Sequence, residues 1–358
     1  MAAGETMVQQ AADWEAVANK ARFRRRLIWL ALALTLLLTS LPIVLPYFWM
    51  LTISVSARTG GVDTLVLWKA CAILAPTLLA YAIVSGLGWS RRRKLAALGA
   101  IAVAALMAIY VLIGPDLHTQ NYRFLWNPNV VEEIRGNTGA GGDQFPWVWT
   151  AFFNSLIFAV ANTVVVLTVS TLAGYYISRF AFPGRAAFLQ SLLVLHAFPA
   201  MTLIIPIFLI MHWVGLLDTI SGVVLVVVTL ELPFSIFIMK GFFDAVPWDI
   251  EMSAMTDGAS RRQAFVQVVL PQVKVGLLAV GVFAFLKGWE EYVFVRTLLF
   301  EKSNWMMSLY LFWVSDDIMG VDYGIVAAVG VFYVLPSLVL YITCQKYLVQ
   351  MTLGGIKG

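Results

Sequence analysis

Residues 249–271 read "DIEMSAMTDGASRRQAFVQVVLP": two acids, an Asp-Gly, a double Arg and a closing Leu-Pro, set between two long apolar stretches. Asp249 and Glu251 suit the positive N-terminal end of a helix, with Pro247 at its first turn. Gly258 can end that helix in the left-handed conformation, which costs a residue without a Cβ no steric penalty. Ser260 and Gln263 then have capping-box spacing for a second helix, whose apolar stripe is Ala264, Phe265, Val268 and Val269 before Pro271. The pattern predicts two short helices bent at Asp257-Gly258. Such a knob offers Met252, Met255 and Phe265 for docking in the groove of a partner. The plainer alternative is an ordinary connecting loop.

The rest of the chain says where the knob sits. Of 358 residues, 61% are hydrophobic and 12% charged, with mean hydropathy +0.84. A soluble domain has roughly 45–50% apolar and about 25% charged residues, so this is a polytopic membrane protein, multi-pass in a lipid bilayer. Apolar windows near 27–54, 65–89, 95–114, 149–178, 186–212, 220–243, 275–299 and 323–347 predict about eight helical spans, an all-α protein. No small-residue cleavage site closely follows the first window, which reads as a retained span and not a removed signal peptide. Cys71 and Cys344 lie far apart, without a CxxC or a neighbouring His, so neither a disulfide framework nor a metal site is expected.

Lys and Arg are retained on the cytoplasmic side of a membrane. With the N-terminus inside, that side receives Arg22, Arg24, Arg25 and Arg26, then Arg91, Arg92, Arg93 and Lys94, then Arg179, Arg185, Lys240, Arg261, Arg262, Lys274, Lys346 and Lys357. The opposite side keeps chiefly Arg58, Arg123, Arg135 and Lys302. Both termini are therefore expected in the cytoplasm, as an even number of spans requires, and the knob faces the same side. The net charge of +4 is an orientation signal; the basic residues flank spans and do not interleave with aromatics, so no nucleic acid is expected as a partner. Residues 115–148 and 301–322 read as exterior segments.

Several stretches carry a family resemblance: "NSLIFAVANT" (154–163), "YYISRFAFPGR" (175–185), "FPAMTLIIPIFLI" (198–210), "GLLDT" (215–219), "LPFSIFIMKGFF" (232–243), "VPWDIEMSAMTDGAS" (246–260), "FLKGWEEYVF" (285–294) and "QKYLVQMTLGGIKG" (345–358). In this order and spacing, together with "YFWMLTISVS" (47–56), they resemble the inner-membrane permease subunits of binding-protein-dependent ABC importers, within them the maltose-type carbohydrate permeases. The segment from 249 resembles the EAA coupling loop of that family.

The resemblance implies a six-span importer core, to which residues 65–114 add a hairpin. The implied organisation is a cytoplasmic N-terminal segment (1–26), first span and hairpin (27–114), periplasmic loop (115–148), permease core (149–348) with coupling loop 244–274, and cytoplasmic tail (349–358). The implied partners are a second membrane permease subunit in a heterodimer, an ATPase subunit dimer, a periplasmic solute-binding protein and a carbohydrate substrate. The location is the bacterial inner membrane. The chain contains no G-x-x-x-x-G-K-[ST] phosphate loop, so it is read as a transport subunit and not an enzyme, with ATP and Mg held by the partner ATPase.

Carried over by position, the coupling loop comprises Glu251, Met252, Ser253, Ala254, Asp257, Gly258, Ala259, Arg261, Phe265 and Pro271. Counted back from Gly258, Met252 stands where the family has its Glu, and Glu251 comes one residue early. A charged contact with the ATPase then falls to Glu251 or Arg261.

Ionisable residues inside spans are costly and point to function. Lys287, Glu290 and Glu291 share a helical face and form either a structural charge cluster or a gate. Trp289 lies among them in the family's Trp-Asn-Glu-Phe stretch, where Glu290 replaces Asn. His196 and Glu231 adjoin Pro199 and Pro233; they either satisfy backbone groups freed by the prolines or line a hydrophilic pathway with Asn154. The resemblance implies that the C-terminal tail reaches the ATPase subunits through Gln345; the plainer alternative is a frayed Gly-rich end. The rival reading is an ion-coupled secondary transporter working without an ATPase, for which paired inverted repeats are expected and not seen.

Overall fold

In hydrocarbon, every backbone N–H and C=O must be satisfied within its own segment or by a neighbouring one, and a helix does so alone. The computed structural model describes residues 42–56, 65–128, 146–316 and 322–354, with a scatter of positions between 24 and 39; for 346–354 it describes backbone only. Among the described residues every regular element is helical. The N-terminal segment 1–26 and most of the first predicted span lie outside these residues, apart from its end, α1 (Pro42–Ser54). The chain forms two compact units that divide between Leu117 and His118.

The first unit contains α1, α2 (Leu65–Gly86) and α3 (Arg91–Leu112), so the predicted hairpin is present. Val66, Ala70 and Ile73 of α2 pack with Ile113, against Phe48 of α1 and Ala105, Ala108 and Ile109 of α3. Lys69 pairs with Asp116 in the turn that follows. No residue of α3 is buried, and its Arg91–Lys94 run forms the helix's own first turn.

The second unit is built around α4 (Val148–Arg179), at 32 residues about 48 Å long and well above the roughly 30 Å needed to cross. Its buried stripe runs Ala151, Ser155, Phe158, Asn162, Val166, Ser170, Gly174 and Ile177, at helical spacing and mostly small. Small residues let helices approach where lipid offers no hydrophobic drive for packing. A Cβ on Gly174 would lie 2.9 Å from Met239 Cβ and from the Lys240 nitrogen, so α4 touches the backbone of α7 (Ile220–Asp244) there. Gly288 of α10 (Lys274–Glu290) comes equally near Ala159, with a Cβ at 3.0 Å from its Cα.

Two predicted spans are broken. The window 186–212 is α5 (Arg185–Ala197) followed, after a turn over Ala200–Leu203, by α6 (Ile204–Val214), bent by 88°. Pro199 explains the break: it has no N–H to donate and disfavours helical geometry at Phe198, which is extended. The window 275–299 is α10, which stops at Glu290, and the short α11 (Val293–Leu298), with Glu291 extended between them.

Three other segments are more ordered than the sequence required. Within residues 301–322, α12 (Met307–Ser315) buries Met307, Ser308, Leu309 and Tyr310, because its apolar residues cover all sides. In the predicted loop 115–148, the turn Thr119–Leu125 is packed into the core, with Phe124 buried against Phe332 and the Leu125 carbonyl accepting from Trp149 Nε1 at 2.7 Å. The last helix, α13 (Tyr323–Gly354), continues through most of the predicted tail. Asp218, at φ 57°, ties the α6–α7 turn to the segment after α11 by accepting the N–H groups of Phe300 and Glu301 at 2.9 and 3.1 Å. Counting two bent helix pairs as one span each, α5 with α6 and Arg261–Gln272 with α10, seven described segments are long and apolar enough to cross, five of them single helices.

Gly174→Ala should push α4 and α7 apart and lower stability by about 1–3 kcal/mol, the cost of overpacking a close contact. Gly281→Ala is the control, since its Cβ meets only the flexible end of Leu167 at 3.2 Å. Thermal unfolding in detergent should show a lower midpoint for the first variant only.

Candidate functional site

The knob forms as its residues dictate. Helix α8 (Trp248–Thr256) ends where Gly258 turns left-handed at φ +96°. There the Gly258 N–H donates to the Met255 carbonyl at 3.1 Å and the Ala259 N–H to the Ala254 carbonyl at 3.0 Å, the paired closure that satisfies a helix C-terminus. Ser260 opens α9 (Arg261–Gln272) with a capping box: its Oγ accepts from Gln263 N–H at 3.3 Å, and Gln263 Oε1 accepts from Ser260 N–H at 2.8 Å. The winding loosens to i+5 over Ala264–Val269, and α9 meets α10 at 74° around Val273.

Which side chains face out differs from expectation. Glu251 is only 1% exposed. One carboxylate oxygen accepts from Tyr175 Oη at 2.5 Å, and the other is ion-paired with Arg179 Nε at 3.1 Å. The Arg179 guanidinium also donates to the Val246 carbonyl at 2.9 Å and lies over the Trp248 ring. Phe265 faces inward too, with its ring 4.4 Å from Tyr175 and 6.3 Å from Phe243. Neither Glu251 nor Phe265 is free for a partner, since the amphipathic face of the knob is used on its own body. Met252 is 39% exposed, and Ser253, Asp257, Gly258, Arg261 and Pro271 are exposed, while Ala254 and Ala259 are half-buried. Arg261 lies over Phe180 at 4.8 Å. Val266, at 48% exposure, joins the outer apolar face, which the stripe did not predict.

Farther along the bundle, α4, α7 and α10 meet at Asn162, which is fully buried. Its amide donates to Glu231 Oε2 and to the Ala284 carbonyl, both at 2.9 Å. The sequence reading passed over Asn162. Its signal was an amide in mid-span on the same stripe as Phe158 and Val166, where an unpaired polar group is too costly to keep.

Beside this junction a cavity of about 590 Å³ is lined by His196, Glu231, Phe234, Lys287, Glu290 and Glu291 among others. His196 stacks on Phe234, ring centroids 4.8 Å apart and nearly parallel at 10°. Lys287 pairs with Glu291 at 3.0 Å; the lysine side chain is 59% exposed and the carboxylate 4%. Glu291 Oε1 also accepts from Phe294 N–H at 3.0 Å, so it caps α11 as well as bordering the cavity. His196 and Glu231 do not fill proline gaps: one is in a ring stack and the other holds the Asn162 amide. The lining is mostly apolar, aliphatic and aromatic, with three carboxylates and one ammonium as its few charged points, the usual make-up of a small-molecule cavity.

Two other candidates lie elsewhere. Asn154 donates to the carbonyls of Ser303 and Trp305 at 2.7 and 3.0 Å, at the end of α4 remote from the knob. Trp289 is buried, donating from Nε1 to the Tyr333 carbonyl at 3.0 Å and accepting from Tyr333 Oη at its own carbonyl at 2.8 Å. That reciprocal pair locks α10 to α13. Gln345 is exposed on α13. Among the described residues no three His, Cys, Asp or Glu side chains converge as metal ligands.

Broken apolar helices around a mainly apolar cavity that carries a few charged side chains, with a two-helix elbow at one end, are the architecture of a membrane permease. The family described as binding-protein-dependent transport system inner membrane component matches residues 167–351, and the chain belongs to it. It is 32% identical over 218 residues to the inner membrane ABC transporter permease protein YcjP of Escherichia coli, covering 60% of this chain and 76% of that protein. It is 33% identical over 196 residues to the diacetylchitobiose uptake system permease protein NgcG of Streptomyces coelicolor, covering 54% and 65%. The fold is shared with a bacterial ABC transporter involved in the import of the acidic polysaccharide alginate, at TM-score 0.63 and 20% identity over 90% of this chain and 96% of that one. The resemblance read from the sequence therefore holds at the level of the permease family.

Gly258→Val should strain the left-handed bend, and Ser260→Ala should remove a cap worth about 1 kcal/mol. Both should speed amide hydrogen exchange over 254–264 while leaving exchange in α4 unchanged.

Proposed function

We propose that this chain is the transmembrane subunit of an ATP-driven carbohydrate importer, working with a second permease subunit, an ATPase dimer and an exterior binding protein. The observation that carries the reading is the elbow of α8 and α9, bent at Gly258 and clasped to α4, with Met252, Val266 and Arg261 turned outward. ATP and Mg belong to the partner, and this chain converts the partner's closure into movement of its own helices. Both termini and the elbow lie on the cytoplasmic side of an inner membrane in this reading, in line with the basic residues of the sequence. The eight-span count joins the seven described segments to the first apolar window.

The mechanism follows from how the elbow is joined to the cavity. Helix α9 turns into α10 at Val273, and α10 carries Lys287, Glu290 and Glu291. Displacement of the elbow tilts α10 and re-forms one cavity wall, so two arrangements of the bundle expose the cavity to opposite sides. Nucleotide in the partner biases their populations. Carbohydrate as solute is supported by the named substrate of the NgcG relative and by the His196–Phe234 stack, whose ring faces suit the C–H face of a sugar. Glu290 and Lys287 supply hydroxyl partners. Which sugar enters is shared with the binding protein and the second subunit.

The ion-coupled alternative rests on the charged residues inside the spans, Glu231 and Lys287 foremost. It leaves the elbow without a role. Copurification of the chain with an ATPase subunit, followed by uptake in proteoliposomes, separates the two. ATP-dependent sugar uptake that survives a protonophore is expected. Sugar uptake by the chain without an ATPase, driven by an ion gradient, would refute the importer reading. Gly258→Pro in the reconstituted complex should abolish solute-stimulated ATP turnover.

A further inference from the structure

The elbow is joined to the bundle by more than its two chain connections. Its first helix is held sideways to α4 through a nearly dry charge pair: the side chains of Arg179 and Glu251 are 5% and 2% exposed. Burying a carboxylate and a guanidinium is expensive, and apolar side chains of the same volume would often hold two helices together at least as firmly. What the pair adds is direction. Arg179 grips α8 at two points, the Val246 carbonyl just ahead of the helix and Glu251 in its first turn. Tyr175, one turn earlier on α4, takes the second Glu251 oxygen and lies under Phe265 of α9. Beside them Ser178 donates to Asp244 Oδ1 at 2.6 Å, fixing the end of α7 to the same turn of α4. Helix α8 therefore cannot roll or slide along α4 without breaking a charged contact in a place where water is scarce.

We propose that Glu251, Arg179 and Tyr175 form a charge clamp that makes α4 move as one body with the elbow, so that the drive enters the bundle through α4 as well as through α10. Higher on α4, Asn162 binds Glu231 of α7 and the Ala284 carbonyl of α10, which gives the clamped helix a direct grip on the cavity wall. Glu251 is thus a positioning residue facing its own subunit, and contact with the ATPase belongs to the outward face that includes Met252. The proposal rests on the importer reading.

Its test uses the full complex of this chain with its membrane and ATPase partners in lipid nanodiscs. Spin labels at Asp249 on α8 and Thr168 on α4, both exposed, report whether the two helices move together. In the otherwise wild-type complex the label distance should stay the same between the nucleotide-free and ATP-bound states. In E251Q and Y175F the distance distribution should broaden and change between states, and solute stimulation of ATP turnover should be lost while the ATPase still co-elutes. Y175F leaves the charge pair in place, which keeps the test valid if E251Q folds poorly. A distance that changes with nucleotide in the wild type overturns the clamp, as does full stimulation in both variants. Loss of the ATPase from the variants while Met252→Ala retains it makes Glu251 a docking or folding residue and overturns the clamp too. Absence of the ATPase from the wild-type complex overturns the importer reading itself, and the clamp with it.

Discussion

The close approach of α4 to its two neighbours is the constraint on which the rest of the second unit depends. Gly174 lets α4 lie on the backbone of α7, and Gly288 lets α10 lie on Ala159 of α4. In lipid such contacts have to be made by packing and by hydrogen bonds, because the surroundings are as apolar as the side chains themselves. Small residues along the α4 stripe provide the packing. Asn162 provides the bond at the middle, joining three helices through one amide. Once α4, α7 and α10 are set in this way, the cavity between α7, α10 and the end of α5 has its walls, and the elbow has a fixed seat.

The same physical economy governs the polar groups. Several of those in the bundle are used twice. Glu291 pairs with Lys287 and caps α11. Asp218 gathers two backbone N–H groups at a turn that only a positive φ can make. Trp289 and Tyr333 exchange hydrogen bonds across α10 and α13. Glu251 and Arg179 lie at the opposite end of α4 from Asn154, so each end of the long helix carries its own polar fastening. Between the two, the cavity retains the charged groups that have no structural double duty: the Lys287 side chain stands more than half exposed and Glu290 is open.

Much of this was legible in the residues. Apolar windows located the start of every described long helix to within a few positions, because a stretch of about 20 apolar residues has only one satisfied form in hydrocarbon. The capping box at Ser260 and the bend at Gly258 were readable for a similar reason: each depends on interactions within a few residues and on a backbone conformation only glycine takes freely. The grouping of Lys287, Glu290 and Glu291 on one face also follows from helical spacing alone.

What the sequence could not decide was which face of each helix meets which neighbour. Family resemblance made Glu251 a candidate contact for a partner, and spacing made Phe265 part of a docking stripe. The tertiary structure turned both inward, because Tyr175 and Arg179, far earlier in the chain, come to lie beneath them. Asn162 and Asn154 look alike in the sequence, eight residues apart on one helix. One became the hub of three helices and the other a clasp at its far end, by virtue of what packed against each. Local pattern determined the helices, their breaks and the elbow; partners distant in the chain decided where every buried charge would find its counterpart, since that depends on a geometry no short stretch contains.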